Sequence, residues 1–336
     1  MARVLNSQIQ FLCYVLVSLV RVLLEDMHGS MGEEPLEKRS SLSAVFPDEF
    51  IIEIFSWLSV KTLMKFWCLN NSFKTLIFNP HFVQMHLNKS SRNPHLVLTL
   101  LPNFKDTLVF DFPISRLLET WSTTTILYDY FHRLIENGGS WLVAGSCNGL
   151  ICLINYHISC LRFRNPATRT KFEIFLPYSN CSFRYSFGYD TLTETYKVVA
   201  LFITKEHDNA ARSMVKIFTL GDNSWRNIQC FPVIPLLWVR SHYNNGVYLS
   251  GTVNWLAVSD YSGSNFSFAS DVTIEQYVIL SIDLSTETYT QLLLPQGFHK
   301  VPRYQPKLVV LMDCLCFCHD FEKTHFIIWQ MKDFGV

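Results

Sequence analysis

The sequence predicts an α+β multidomain chain in which a small all-α unit precedes an all-β, propeller-like domain. A change of period and a repeat predict it. Between residues 46 and 89, apolar residues recur at three- and four-residue steps, the spacing of one helix face. From about residue 95 the spacing drops to two, as in a half-buried strand. Strand pairs then return at Gly145, Gly188, Gly246 and Leu308, which lie 43, 58 and 62 residues apart. Repeats of that length built from short strands suggest propeller blades.

The helical unit opens with "FPDEFIIEIFSWL" (46–58). At about 100° per residue, Trp57, Phe50, Ile54, Leu58, Ile51 and Phe55 cover roughly 160° of the circumference. Ile52 widens the arc, and Glu49, Ser56 and Glu53 mark a polar strip. A helix on one small core needs a stripe of only about 100°, so a second apolar contact is expected. Pro47 suits a first helical turn, and Asp48 and Glu49 complement the positive end of the helix. Leu63, Phe66, Leu69, Phe73, Leu76 and Ile77 continue the pattern, with a break near Asn70–Ser72. Asn79 as cap and Pro80 at the first position start a further helix. Three or four short helices are expected.

The β-region contains "HLVLTL", "TLVFDF", "WLVAGS", "GLICLI", "YKVVALFI", "SMVKIFTL", "GVYLSGTVNWLA", "YVILSIDL", "LVVLMDCLCFCH" and "HFIIWQM", each bounded by turn residues. Residues 113–137 interrupt the series and carry no clear period. "NPATRTKF" (165–172), "YDTLTETYKVV" (189–199) and "IDLSTETYTQL" (282–292) share a strand end, a turn rich in Thr and Asp or Asn, and a returning strand. Their recurrence is read as equivalent turns of successive repeats.

With 336 residues, 49% of them apolar and 15% aromatic, the chain can bury a large core. Its 28 basic and 28 acidic residues cancel, which argues against a nucleic-acid partner. Ten cysteines without a CxxC pair read as reduced thiols rather than a disulfide framework. Residues 1–30 form an apolar extension whose core, Ile9–Leu24, would span ~24 Å as a helix, short of a ~30 Å hydrocarbon layer. It reads as a mistaken start ahead of Met27 or Met31, an interfacial helix, or a signal or anchor. Residues 31–45 read as a linker, 46–93 as the helical unit and 94–336 as the β-domain.

Catalytic and metal signatures are missing: the sequence has no HExxH, GxSxG or GxxxxGK. Cys314, Cys316, Cys318 and His319 alternate on a strand, where i and i+2 stand roughly 6.6 Å apart. A single zinc, with sulfurs at ~2.3 Å, fits that poorly, so core-facing thiols are expected. Asp190/Glu194 and Asp283/Glu287 read as turn closers rather than acid/base pairs. His81 and His86 are assigned to surface or cap positions. Tyr178, Phe183, Tyr185, Trp238, Tyr243, Tyr261, Phe266 and Phe268 are candidate partner contacts, with filling between blades as the competing reading.

Residues 46–95 resemble the F-box of plant F-box proteins at nearly every apolar position, at Pro47, at the acidic pair and at Asn79–Pro80. "GSCNGLICL", "RNPATRTKF", "FGYDTLTETYKVVAL", "VKIFTLGDNSWRNI", "GVYLSGTVNWLA" and "ILSIDLSTETYTQLLLP" resemble, in order, the F-box-associated domain of the same proteins. The sequence departs from the F-box pattern at Ser59 for Pro, Trp67 for a basic residue, Phe73 for Trp, and Asn70 and Asn71 for Ser and Lys. It also stops where family members continue with a Ser-Trp motif and further strands, so an incomplete last portion is expected.

The resemblance implies a non-catalytic, substrate-recognition subunit of an SCF-type cullin-RING ubiquitin ligase, without cofactor or metal. The partners would be a Skp-family adaptor and an unidentified protein target, in the cytoplasm and/or nucleus, with no nucleic acid and no membrane. Adaptor contacts would come from Pro47, Ile51, Ile54, Leu58, Leu63, Phe66, Leu69, Phe73, Leu76 and Ile77, some of which must instead be internal core. The alternatives are a degenerate F-box copy without function and a secreted or membrane-tethered propeller glycoprotein, either lectin or enzyme. The second draws on Asn-x-Ser at Asn70, Asn88, Asn180 and Asn265.

Overall fold

The structure is a computed structural model that describes residues 47–90, 95–100, 108–113, 131–133, 141–166, 168–176, 183–205, 211–222, 224–228, 230–236, 245–259, 273–299, 306–321 and 324–332. The apolar extension, the linker, most of 113–137, and Tyr178, Trp238, Tyr243, Tyr261, Phe266 and Phe268 lie outside the described residues. The chain divides into two compact units, 1–94 and 95–336. Among the described residues no helix is long and apolar enough to cross a membrane.

The described residues of the first unit form four helices: α1 (Asp48–Ser56), α2 (Val60–Trp67), α3 (Asn71–Ile77) and α4 (Pro80–Ser90). Each boundary has a local cause. Pro47, at φ −56°, precedes α1 with Asp48 and Glu49 in its first turn. The Ser59 hydroxyl accepts from the Thr62 amide at 3.3 Å and starts α2. Asn70 accepts from the Phe73 amide at 2.8 Å and starts α3. Asn79 accepts from the amides of His81 (2.9 Å) and Phe82 (3.4 Å) ahead of α4.

In the second unit, β1 (His95–Leu100), β2 (Leu108–Pro113) and β3 (Phe131–Arg133) form one antiparallel sheet. The strand β3 falls in the stretch whose period was unreadable. Four further antiparallel sheets follow in chain order. They are β4 (Leu142–Cys147) to β7 (Lys171–Phe175) through β5 (Leu150–Asn155) and β6 (Cys160–Arg164), and then β8 (Arg184–Asp190), β9 (Thr195–Lys205), β10 (Ala211–Thr219) and β11 (Ser224–Asn227). The third holds β12 (Val233–Pro235), β13 (Val247–Leu249), β14 (Thr252–Ser259), β15 (Tyr277–Asp283) and β16 (Tyr289–Leu293). The fourth holds β17 (Lys307–Leu311), β18 (Cys314–Phe321) and β19 (His325–Gln330). This is a four-bladed, propeller-like arrangement.

Successive sheets stack face to face, which explains why the middle strands read as continuous apolar runs. On β9, Val198 and Ala200 join Phe163 and Phe187 in the layer toward the preceding sheet. The alternate residues Val199 and Leu201 join Val253, Trp255 and Leu280 in the layer toward the next. On β15, Val278, Leu280 and Ile282 face one way, while Tyr277 and Ile279 meet Leu315 and Phe317 of β18.

The four sequence landmarks mark the inner strands. Gly145, Gly188 and Leu308 lie on β4, β8 and β17, and Gly246 directly precedes β13. These strands are mutual neighbours: β4 with β8, β8 with β13, and β13 with both β17 and β4. Side chains tie them together across the middle. Asn245 Nδ2 donates to the Val143 carbonyl (2.7 Å), Ser186 Oγ to the Gly246 carbonyl (2.5 Å) and Tyr248 Oη to the Tyr189 carbonyl (2.9 Å). The approach is so close that a Cβ at Gly246 would enter the Trp255 indole, and one at Gly188 would enter the Tyr248 ring.

Three inner strands turn into the next strand through two residues of positive φ: Asn148–Gly149, Ser250–Gly251 and Met312–Asp313. That is the twist a right-handed hairpin requires. The Thr-rich repeat also has one local geometry. Asn165, Asp190 and Asp283 each accept from the amide three residues on, and the residues at Arg169, Glu194 and Glu287 have positive φ. Paired threonine hydroxyls close each turn at 2.7–2.8 Å. Their places in the blades differ, however. The turns at 165–170 and 283–288 join the third strand to the outer strand, whereas 190–195 joins the inner strand β8 to β9. The reading of these as equivalent turns is therefore corrected: an Asx–Thr turn serves wherever it is placed, because its hydrogen bonds are local.

Candidate functional site

The first unit closes a core of its own. Phe55, Phe66 and Phe73 meet with ring centroids 5.0, 5.0 and 5.9 Å apart. Ile51, Ile54, Leu63, Ile77 and Phe82 surround them. The ten residues predicted to contact a partner thus divide. Ile51, Ile54, Leu63, Phe66, Phe73 and Ile77 are buried within the unit. Leu58 and Leu76 are half-buried, and Pro47 and Leu69 are exposed.

The unit also shows exposed apolar residues that the reading of the sequence did not select. Phe50 is 58% exposed, Phe78 52% and Trp57 51%, and Val60 and Val83 are exposed as well. Fully burying such side chains stabilises by about 1.5–3 kcal/mol each, so a unit of this size carries substantial unsatisfied apolar surface. The sequence signal was the excess width of the α1 stripe; the side that faces outward depends on where α2 to α4 pack.

One part of this surface is rigidly built. Trp57 Nε1 donates to Glu53 Oε1 at 2.9 Å. Lys89 of α4 pairs with the same oxygen at 2.7 Å, donates to Ser56 Oγ at 2.7 Å, and stands 4.6 Å from the centroid of the Trp57 ring. Hydrogen bonds from Lys89 and then Trp57 hold the Glu53 carboxyl below the usual carboxylate range. Ser56, assigned to a polar strip, is in fact buried beneath this cluster. His86 is likewise not at the surface: it is buried, its Nε2–H donating to the Leu58 carbonyl at 2.9 Å, while Nδ1 lies 3.2 Å from Ser90 Oγ. That bond ties α4 to the end of α1. His81 is exposed.

In the β-domain, filling between blades, rather than partner contact, holds for two of the candidate aromatics. Phe183 and Tyr185 are buried between the first two sheets of the propeller, 5.8 Å apart. The acidic turn residues meet in a polar cluster. Asp190, fully buried, accepts from the Leu192 and Thr193 amides, from Thr193 Oγ1 and from Ser285 Oγ of the next blade. Lys197 lies 2.8 Å from Asp190 and 3.1 Å from Glu287, and Arg226 pairs with Glu287 too. Ser285, Lys197 and Arg226 thus join elements of two neighbouring blades, while the Leu192 and Thr193 contacts close the 190–195 turn itself. Cys316 and Cys318 are buried and Cys314 half-buried, and burial raises the thiols of Cys316 and Cys318. Among the described residues no group of three or more His, Cys, Asp or Glu could hold a metal ion. The eight described cysteines are free thiols.

Four described helices, three of them capped by side chains, with apolar residues on two sides and four stacked antiparallel sheets further along the chain, agree with the comparisons to known proteins. The family profile of the F-box-associated β-propeller domain matches residues 142–335, and that of the F-box domain matches 45–84. This chain is an F-box protein. Among relatives of the F-box protein, the F-box/kelch-repeat protein At3g23880 of Arabidopsis thaliana is 25% identical over 305 residues, covering 86% of this chain and 76% of the relative. F-box protein CPR1 of the same plant is 26% identical over 313 residues, covering 87% and 71%. Among solved structures, Porphyromonas gingivalis dipeptidyl peptidase 4 overlaps 72% of this chain and 37% of its own, at 7% identity and a TM-score of 0.36.

The F-box protein's departures at Ser59, Trp67, Asn70 and Phe73 have local explanations. Ser59 and Asn70 serve as helix caps, so helix starts are kept without the usual residues. Phe73 sits inside the aromatic core, where a ring is needed more than an indole donor. Trp67 packs on Phe78 at 6.1 Å beneath Lys74, 5.5 Å from its ring. Of the Asn-x-Ser sites, Asn70 is occupied as a cap, and Asn180 and Asn265 lie outside the described residues. F-box proteins are in general non-catalytic adaptors, and an F-box joined to a propeller supports an SCF substrate-receptor role in general terms.

Proposed function

We propose that this F-box protein is the substrate-recognition subunit of an SCF-type cullin-RING ubiquitin ligase, working in the cytoplasm and/or nucleus. Its helical unit docks on a Skp-family adaptor and its propeller holds a protein target. The observation that carries this reading is that α1 to α4 complete a core and still leave Phe50, Trp57, Val60, Leu69, Phe78 and Val83 exposed. Of the ten residues assigned to docking, Pro47, Leu58, Leu69 and Leu76 make direct contact, and the six buried ones shape the surface from beneath. The protein performs no bond chemistry. It keeps a target lysine near a ubiquitin-charged enzyme, replacing a bimolecular encounter with an effective concentration on the order of millimolar.

The test is co-expression of the full chain with a plant Skp-family adaptor, followed by purification on a tag carried by the chain. Retention of the adaptor, weakened by Leu69→Asp, is the expected result. Failure to retain it, under conditions where another F-box protein does, overturns the proposal.

A further inference from the structure

Trp57 is unusual among the exposed apolar residues of the helical unit because its position is held by polar contacts. Glu53 accepts from its indole nitrogen at 2.9 Å, and the Lys89 ammonium lies 4.6 Å from the ring centroid while pairing with that same carboxylate at 2.7 Å. Lys89 is itself anchored at Ser56 Oγ, 2.7 Å away, and its side chain is only 20% exposed. Two groups from two helices, the second anchored at Ser56, therefore restrict an indole that remains half exposed. A fixed aromatic at a surface loses little conformational freedom on binding, which is the condition under which Trp anchors an interface. Phe50, seven residues earlier, stands on the same stripe of α1 about 10 Å away along the axis. Spacing of i and i+7 on one helix is how a helix presents anchors to a groove.

We propose that Trp57 is an anchor for the Skp-family adaptor and that Lys89 and Glu53 are its positioning residues. This inference rests on the adaptor-docking reading and deepens it: affinity depends on a clamp between α1 and α4 as well as on apolar area. The clamp supplies a reason for Lys89 to lie against α1 rather than extend into solvent, and it makes α4 part of the docking surface without direct contact.

The experiment measures adaptor affinity of the full chain and its Trp57→Ala, Lys89→Met, Lys89→Arg and Trp57→Ala/Lys89→Met forms, with thermal melts of each. The expected result is about a tenfold or greater loss for Trp57→Ala and about threefold for Lys89→Met. The double variant binds no more weakly than Trp57→Ala alone, and Lys89→Arg, which keeps the cation over the ring, restores affinity. A merely structural lysine would instead give additive losses. Wild-type affinity in Trp57→Ala, or additive losses in the double variant, overturns the inference while leaving the docking reading in place. No binding by the unsubstituted chain overturns the docking reading and this inference with it. Should Lys89→Met melt early, Glu53→Gln at the exposed end of the clamp reads the same coupling.

Discussion

Lys197 and Asp190 form an ion pair at 2.8 Å with their side chains 4% and 0% exposed, and both members also bond the next blade, at Leu284 and Ser285. Asp190 ends β8 and Lys197 lies on β9, yet the ammonium also donates to the Leu284 carbonyl at 2.5 Å, in the turn of the following sheet. Truncating one partner of a buried pair strands the other charge, at about 3–5 kcal/mol. Lys197→Met is therefore expected to lower unfolding free energy by about that amount in urea titrations. Lys197→Met/Asp190→Asn should recover part of the loss, since no buried charge then remains alone.

The same pair sets an acid limb of stability. Burial by itself would raise the Asp190 carboxyl, but hydrogen bonds from Lys197, Ser285, Thr193 and the Leu192 amide outweigh it and hold the group well below the usual carboxylate range. A carboxyl depressed by folding stabilises fully above its unfolded value, about 3.9, and loses that contribution as pH falls through the folded value. The wild-type protein should lose stability below about pH 4 more steeply than Asp190→Asn. Parallel limbs in pH-dependent melts would contradict the assignment.

Gly246 is a site of close packing rather than of flexibility. A methyl group there enters the indole of Trp255, which is buried in the layer between two blades. Gly246→Ala is expected to cost about 1–3 kcal/mol as overpacking, visible as a lowered midpoint in urea. Gly149→Ala provides the comparison, since nothing lies within 4 Å of its added Cβ and only its positive φ is strained.

Met312 and Asp313 occupy the left-handed region at φ 51° and 57°, where the equivalent turns place Asn148–Gly149 and Ser250–Gly251. Met312 is almost fully exposed, so its side chain contributes little packing. Replacing the pair by Asn-Gly should stabilise the β17–β18 hairpin by about 0.5–2 kcal/mol. Thermal melts check the direction.

Core and docking residues of the helical unit should separate experimentally. Leu63→Ala removes a buried side chain and should cost about 2–5 kcal/mol. Leu69→Asp alters an exposed one and should leave stability within about 0.5 kcal/mol while weakening adaptor retention. Equal loss of stability in both would contradict the division.

Much of this architecture was legible because period and burial coincide. The run "YKVVALFI" reads as a strand and forms β9, since both of its faces are covered. Asn79–Pro80 announced α4 because cap and first-turn preferences are local. Strands such as β6, β11 and β12 went unread: "CLRFR", "SWRN" and "VIP" are three to five residues long and too short to display a period. Their pairing partners fix them. The division of the docking list failed to emerge for a different reason. Leu63 and Leu69 are the same residue type on one periodic run, and only the packing of α3 against α2 buries the first and leaves the second outside. Phe183, Tyr185 and His86 repeat that lesson, as their burial comes from elements distant in sequence.

The hub of the propeller has a consequence for how such a protein can diversify. Val143, Tyr189 and Gly246 have their inner carbonyls already engaged by Asn245, Tyr248 and Ser186. Those three carbonyls are spent on holding the inner strands together, while Asn245 Oδ1 lies buried beside them with no hydrogen-bond partner among the described residues. Under the receptor role proposed above, exchangeable target contacts would come from segments away from these tied strands. A chimera bearing a relative's segments of that kind on this hub should turn to a new target while keeping its frame.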